Sequence, residues 1–213
     1  MNSNEMQGDY SEALGAPDAS EGRSTGELIE VLGDDMDRCF EAVMHAIKTG
    51  EKLDGGGVEV APDYEFHARQ FIRSVLAFFE GASFTMRVWA VAHLMRKDEI
   101  SDEERWIAME RRFELEDNGH IAERTAKITL TRMIKFTFTL MDRLHGVPPR
   151  LDTSNEWWSC LQQSIRVRDR LMHPRQPSDL DVSVEEVIAA SKAEVGFRML
   201  VGGYPNATLP PLE

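Results

Sequence analysis

Asp63 to Arg96 constrains this chain more than any other stretch. Ile72, Val75, Phe79, Ala82, Met86 and Trp89 recur along it at three- and four-residue steps, the spacing of one helical face. Phe71, Phe78, Val88 and Val91 make much of the remaining circumference apolar too. A helix apolar nearly all round must be central in a bundle or lie at an oligomer interface. Asp63 is the candidate cap at its start. Arg73, Glu80, Arg87 and His93 interrupt the apolar run, which makes it a poor membrane span. Arg73, Glu80 and Arg87, spaced by sevens, form a polar line. In its plain reading that line is a solvated seam of ion pairs. In its sharper reading Glu80 faces the bundle interior and holds Arg168.

The other periodic stretches are helical as well. Leu28, Val31, Leu32, Met36, Phe40, Val43 and Ile47 predict a first helix from Thr25 to Lys48, ended by Gly50 and the Gly55-Gly56-Gly57 run. Val58-Glu59-Val60 reads as a short extended piece. Ser101-Asp102-Glu103-Glu104 has the capping-box pattern and opens a third helix running to about Leu115, stopped by Asn118-Gly119. From Ile121 to Leu144 two patterns compete. Ile128 to Thr131 and Phe136 to Leu140 alternate like strands, yet the apolar residues also gather on one broad helical face. With no turn residue across a span far beyond ordinary strand length, helix is the expectation. Gly146-Val147-Pro148-Pro149 stops it, and Thr153 to Asn155 begins the next helix. Ser183-Val184-Glu185-Glu186 is a second capping box, for a last helix to about Val201.

These readings predict an all-α, up-and-down bundle of four to five main helices with disordered termini. Met1 to Ser24, polar and aperiodic, is a disordered tail; residues 25–201 form one domain; residues 202–213 are a loose tail. Two cysteines far apart, and a polar, acidic start without an apolar run, point to a cytoplasmic protein. The six histidines have no metal-ligand spacing, and neither a phosphate loop nor a nucleophile elbow is present. No metal and no cofactor is therefore expected. Cys160 reads as a packing residue.

Chemistry concentrates at Trp157 to Arg175. Trp158, Leu161, Ile165, Arg168 and Met172 share one helical face, so an arginine lies on an apolar stripe. Pro174 disfavours helix at His173, which ends the helix near Met172 and leaves His173 in the departing chain. The net charge of −13 argues against generic nucleic-acid binding, which rests on phosphate neutralisation. Against it, Arg166, Arg168, Arg170 and Arg175 form a basic island around one histidine. Cations that complement a helix dipole explain Arg170 and Arg175, but not Arg168. An inward arginine, an adjacent carboxylate and a histidine at a helix end suit a phosphodiester.

Arg168-Asp169-x-x-x-His173 resembles the R-polar-x-x-x-H signature of HEPN-domain proteins, a superfamily of all-helical bundles. The looser arginine–histidine spacing also occurs at Arg38 and His45 and at Arg87 and His93, but only Arg168 is followed by a carboxylate. Asp169 stands where the family more often has asparagine. Many members are metal-independent ribonucleases of toxin–antitoxin, phage-defence and RNA-processing systems; others are non-catalytic binding modules. The resemblance implies RNA cleavage by 2′-OH attack. His173 moves the proton, Arg168 holds phosphate oxygens and Asp169 orients them. Arg166, Arg170 and Arg175 contact substrate, and Glu80 supports Arg168. One chain supplies one such histidine, so a homodimer with two motifs facing one cleft is implied, as in HEPN nucleases. RNA and an antitoxin or other protein are the expected partners, with no membrane. The rival expectation is a non-catalytic HEPN-like module binding a partner protein or nucleotide, with Arg168 a buried structural cation and His173 a helix end.

Overall fold

A computed structural model describes residues 25–50 and 60–204. The expected tails at 1–24 and 205–213, the glycine run, and Val58 and Glu59 of the expected extended piece lie outside the described residues. The chain forms α1 (Thr25–Lys48), α2 (Tyr64–Arg96), α3 (Asp102–Ala108), β1 (Arg111–Leu115), β2 (Ile121–Thr125), α4 (Leu130–His145), α5 (Glu156–Met172), a single 3-10 turn (Pro177–Leu180) and α6 (Val184–Gly202). It is a helical bundle carrying one small hairpin.

α2 is the centre. Ile72, Val75, Phe79 and Ala90 are fully buried, and Phe71, Leu76, Phe78, Met86 and Leu94 nearly so. α1, α4, α5 and α6 all pack on it. By length and composition it is apolar enough to cross a membrane, but 67% of that window is buried inside the fold. The apolar circumference is thus covered by this chain's own helices. Asp63 does not cap α2; its carboxylate meets the ring of His67 at 3.2 Å instead.

Both capping boxes form, and each does a second job. Glu104 closes the box at Ser101 and also accepts two hydrogen bonds from Arg143 of α4, at 2.9 and 2.6 Å. That guanidinium holds the Glu104 carboxyl below the usual carboxylate range. Glu186 closes the box at Ser183 and accepts both of its bonds from Arg170 of α5, at 3.0 and 2.9 Å. Each box thereby ties the start of one helix to the end of another. α5 and α6 approach closely at Gly196, where any Cβ would collide with Trp157. Trp157 is therefore half-buried under α6.

The hairpin corrects the sequence reading. The third helix ends at Ala108, not Leu115, and the single helix expected over Ile121–Leu144 is a strand, a short loop and α4. Arg111 pairs with Thr125, Phe113 with Glu123 and Leu115 with Ile121. The cause is the turn between the strands. Asn118 Oδ1 accepts from the His120 N–H at 2.8 Å, and Gly119 supplies a φ of 80° that a side chain would resist. Conversely, the strand-like alternation at 136–140 folds as helix. Thr137 and Thr139 return their hydroxyl protons to the carbonyls of Met133 and Lys135, at 2.8 and 3.0 Å, so both are satisfied within the helix.

Candidate functional site at the end of α5

α5 buries Trp158, Cys160, Leu161, Ser164, Val167 and Leu171, a stripe rotated slightly from the expected one. Met172 consequently points to solvent at 54% exposure rather than joining the core. Burial pushes the Cys160 thiol up, consistent with a packing residue. The helix ends as its proline requires. The last helical bond runs from the His173 N–H to the Asp169 carbonyl at 3.1 Å, and His173 takes φ −132° and ψ 54°.

Arg168 follows Val167 at the edge of the buried stripe, with its side chain 25% exposed. Its Nη1 donates to Glu80 Oε1 of α2 at 2.6 Å, and its Nε to Asp169 Oδ1 at 3.2 Å. Glu80 does not face the interior, as the sharper reading had it. It is about half exposed and meets Arg168 in a surface seam between α2 and α5. The pair therefore positions the guanidinium more than it stabilises the fold, since exposed ion pairs contribute at most about 1 kcal/mol.

The remaining residues of the basic island divide. Arg170 pairs with Glu186 and belongs to the α5–α6 clamp. Arg166, His173 and Arg175 are exposed, and among the described residues neither guanidinium nor the imidazole has a hydrogen-bond or ion-pair partner. The loop that carries Arg175 is held by Asp179, whose Oδ2 accepts from the backbone N–H groups of Arg175 and Gln176 at 2.7 and 3.1 Å. Those bonds hold the Asp179 carboxyl below its usual range.

A polar cavity of about 230 Å³ opens beneath Glu80, between α2, the hairpin base and α4. Glu80, Ser83, Arg87 and Glu110 line one side, Leu130 and Met133 the other. Arg87 was expected in a solvated seam, yet it is 2% exposed. Its Nε donates to the Ala108 carbonyl at 2.7 Å and its Nη2 to Glu110 at 2.9 Å. Burial pushes its pKa down, and Glu110 opposes that. Glu110 itself adopts a φ of 55°, an unusual conformation for a non-glycine, at the point where α3 turns into β1. The buried Ser83 hydroxyl has no partner among the described residues. None of these neighbours was legible in sequence: the seven-residue spacing of Arg87 says nothing of the carbonyl that receives it. Among the described residues no group of histidine, cysteine and carboxylate side chains is placed to hold a metal ion. Comparison with family models, characterised proteins and solved structures returns no match to this chain.

Proposed function

We propose that this chain is a metal-independent endoribonuclease of HEPN type, working as a pair of chains. The observation that carries the reading is His173: an exposed imidazole without a partner, at the end of the helix that presents Arg168 and Asp169, with Arg166 and Arg175 nearby, in a chain of net charge −13. A histidine has the unperturbed pKa suited to proton transfer near neutrality. In the proposed step His173 takes the proton of a ribose 2′-OH, and the 2′-oxygen attacks the adjacent phosphorus. The 5′-oxygen leaves with a proton from the second chain's histidine, which yields a 2′,3′-cyclic phosphate and a 5′-hydroxyl. Arg168 uses Nη1 and Nε on Glu80 and Asp169, and its Nη2 edge remains to bind a phosphate oxygen. Toxin–antitoxin or phage-defence activity is the corresponding biological setting, with RNA as substrate and an antitoxin as protein partner.

The deciding experiment is RNA digestion in the presence of a chelator. Wild type is expected to release fragments with cyclic-phosphate ends. His173→Ala should cut at least about 100-fold more slowly, the usual contribution of a general acid or base. Arg168→Ala should fold normally and lose cleavage as well. A wild type inert toward a broad RNA panel would reject the nuclease. One observation favours that second outcome: Glu80 and Asp169 already occupy Arg168, and His173 stands at the helix C-cap. Both suit a non-catalytic module that binds a partner protein or nucleotide.

A further inference from the structure

The hairpin is the least finished part of the fold. Apart from their mutual pairing, its strands pack chiefly on α3, where Trp106 meets Phe113 edge-on at 4.7 Å. Two-stranded sheets are marginal in water. Cross-strand partners share a face, which puts Phe113, Leu115 and Ile121 together on one side of this one. Leu115 is 76% and Ile121 73% exposed, among the most exposed large apolar residues in the described chain.

Among the described residues the outer edge of β1 is open as well. Backbone bonds flank the ladder at Glu116 N–H to His120 carbonyl (2.8 Å) and Ala126 N–H to Glu110 carbonyl (2.6 Å). Alternation then turns the peptide groups of Arg112 and Glu114 toward β2, and those of Arg111, Phe113 and Leu115 away from it. Edges of this kind are usually blunted by proline, bulges or like charges. Here the two charges flanking Phe113, Arg112 and Glu114, are of opposite sign.

We infer that the β1 edge pairs antiparallel with the β1 edge of a second copy of this chain, around a two-fold axis at Phe113. In that register Arg112 of each copy stands opposite Glu114 of the other, and Arg111 opposite Leu115. Both opposed charge pairs are then favourable. The alternative edge is self-repelling, because β2 centred on its middle residue sets Glu123 against its own copy. Charge on a larger scale agrees. The two strands carry three arginines and two glutamates, in a chain whose net charge of −13 opposes approach of two copies elsewhere. The product is a four-stranded sheet in which the two Phe113 side chains meet at the centre of one face, with Leu115 and Ile121 of each copy on that face beside Arg111 and Glu123. This contact is independent of RNA cleavage and of α5.

Light scattering of the full chain at micromolar concentration tests it. Wild type is expected at twice the chain mass of 24.2 kDa, or at a higher multiple where the α5 ends pair as the nuclease reading has them. Arg112→Glu and Glu114→Arg each oppose like charges in both symmetry-related pairs, and each should weaken association at least tenfold, on the order of 1.4 kcal/mol. An equimolar mixture of the two variants restores complementarity, and the dimer should return as a heterodimer. The double swap Arg112→Glu/Glu114→Arg also keeps an opposite-charge pair within the strand, and is expected to dimerise like wild type even if either single variant folds poorly. A monomeric wild type, an undiminished mass in either folded single variant, or a double swap lighter than wild type overturns the proposal. RNA cleavage by a monomer, or a dimer without cleavage, separates this contact from the nuclease reading.

Discussion

α4 closes on His145 and α5 closes on His173, but the first histidine lies among aromatic rings and the second lies in water. At the α4 end, the His145 ring stacks 5.9 Å from Trp89 and lies 5.3 Å from Tyr204. Tyr204 follows α6, and its hydroxyl donates to the buried Asp142 carboxylate at 2.7 Å. Asp142 also accepts from the Arg150 N–H at 3.2 Å, and the Arg150 guanidinium lies 4.9 Å from the centre of the Tyr204 ring. Burial, with the cations Arg150 and Lys97 nearby, lowers the His145 pKa. Burial and the Asp142 carboxylate raise that of Tyr204. Among the described residues no such cover reaches the α5 end, where Pro174 sends the chain away, Arg168 is tied to α2 and Arg170 to α6. Two histidines at helix ends, His145 in the last turn and His173 at the C-cap, thus take opposite parts. A closed helix end contributes stability, and an open one leaves its imidazole exposed to solvent.

Asp142→Ala is the largest expected break in that contrast. It removes the acceptor of the Tyr204 hydroxyl and of the Arg150 N–H, and should cost about 2–3 kcal/mol. In a chain of this size that lowers the melting temperature by about 4–12 °C. Asp169→Ala, at the open end, should cost less than about 0.5 kcal/mol. Equal losses in thermal melts would erase the distinction between the two ends.

The next effect is on pH dependence. Because the folded His145 pKa lies below its ordinary value, the unfolded chain takes up this proton first as pH falls. The His145 contribution is therefore complete above about pH 6.5 and is lost as pH falls through the folded value. Urea midpoints at about pH 7.5 and 5.5 should differ less in His145→Gln than in wild type. Parallel losses in the two proteins would mean that the aromatic stack does not discriminate against the imidazolium.

Arg168→Ala is the smallest. Its ion pairs are solvated, and removal should change stability by under about 1 kcal/mol in urea denaturation. A loss above about 3 kcal/mol would show a desolvated pair. That result would place the α5 end with the closed one and favour the binding-module reading.

Several elements could be read directly from the residues. The central place of α2 followed from its apolar circumference, both capping boxes from their serine–glutamate spacing, and the end of α5 from Pro174. The hairpin was misread. Asn118-Gly119 reads as a helix stop, yet it stands between two five-residue strands and forms their turn. Charged residues at 111, 112, 114, 123 and 124 weakened the strand signal in 111–115 and 121–125. Strand-like alternation at 136–140 drew attention to the wrong place.

What this sequence determines by itself is local: where helices begin and stop, and that His173 leaves its helix. Caps, proline restrictions and turn residues act within about four positions, so their partners are always at hand. The pairings that define the candidate site are of another kind. Arg168 meets Glu80 across 88 residues, Arg87 finds the Ala108 carbonyl across 21, and Arg170 closes on Glu186 across 16. An arginine finds several carboxylates equally acceptable in an unfolded chain of this composition. Packing on α2 selects among them, because burial decides which charge must be paired and which can remain in water.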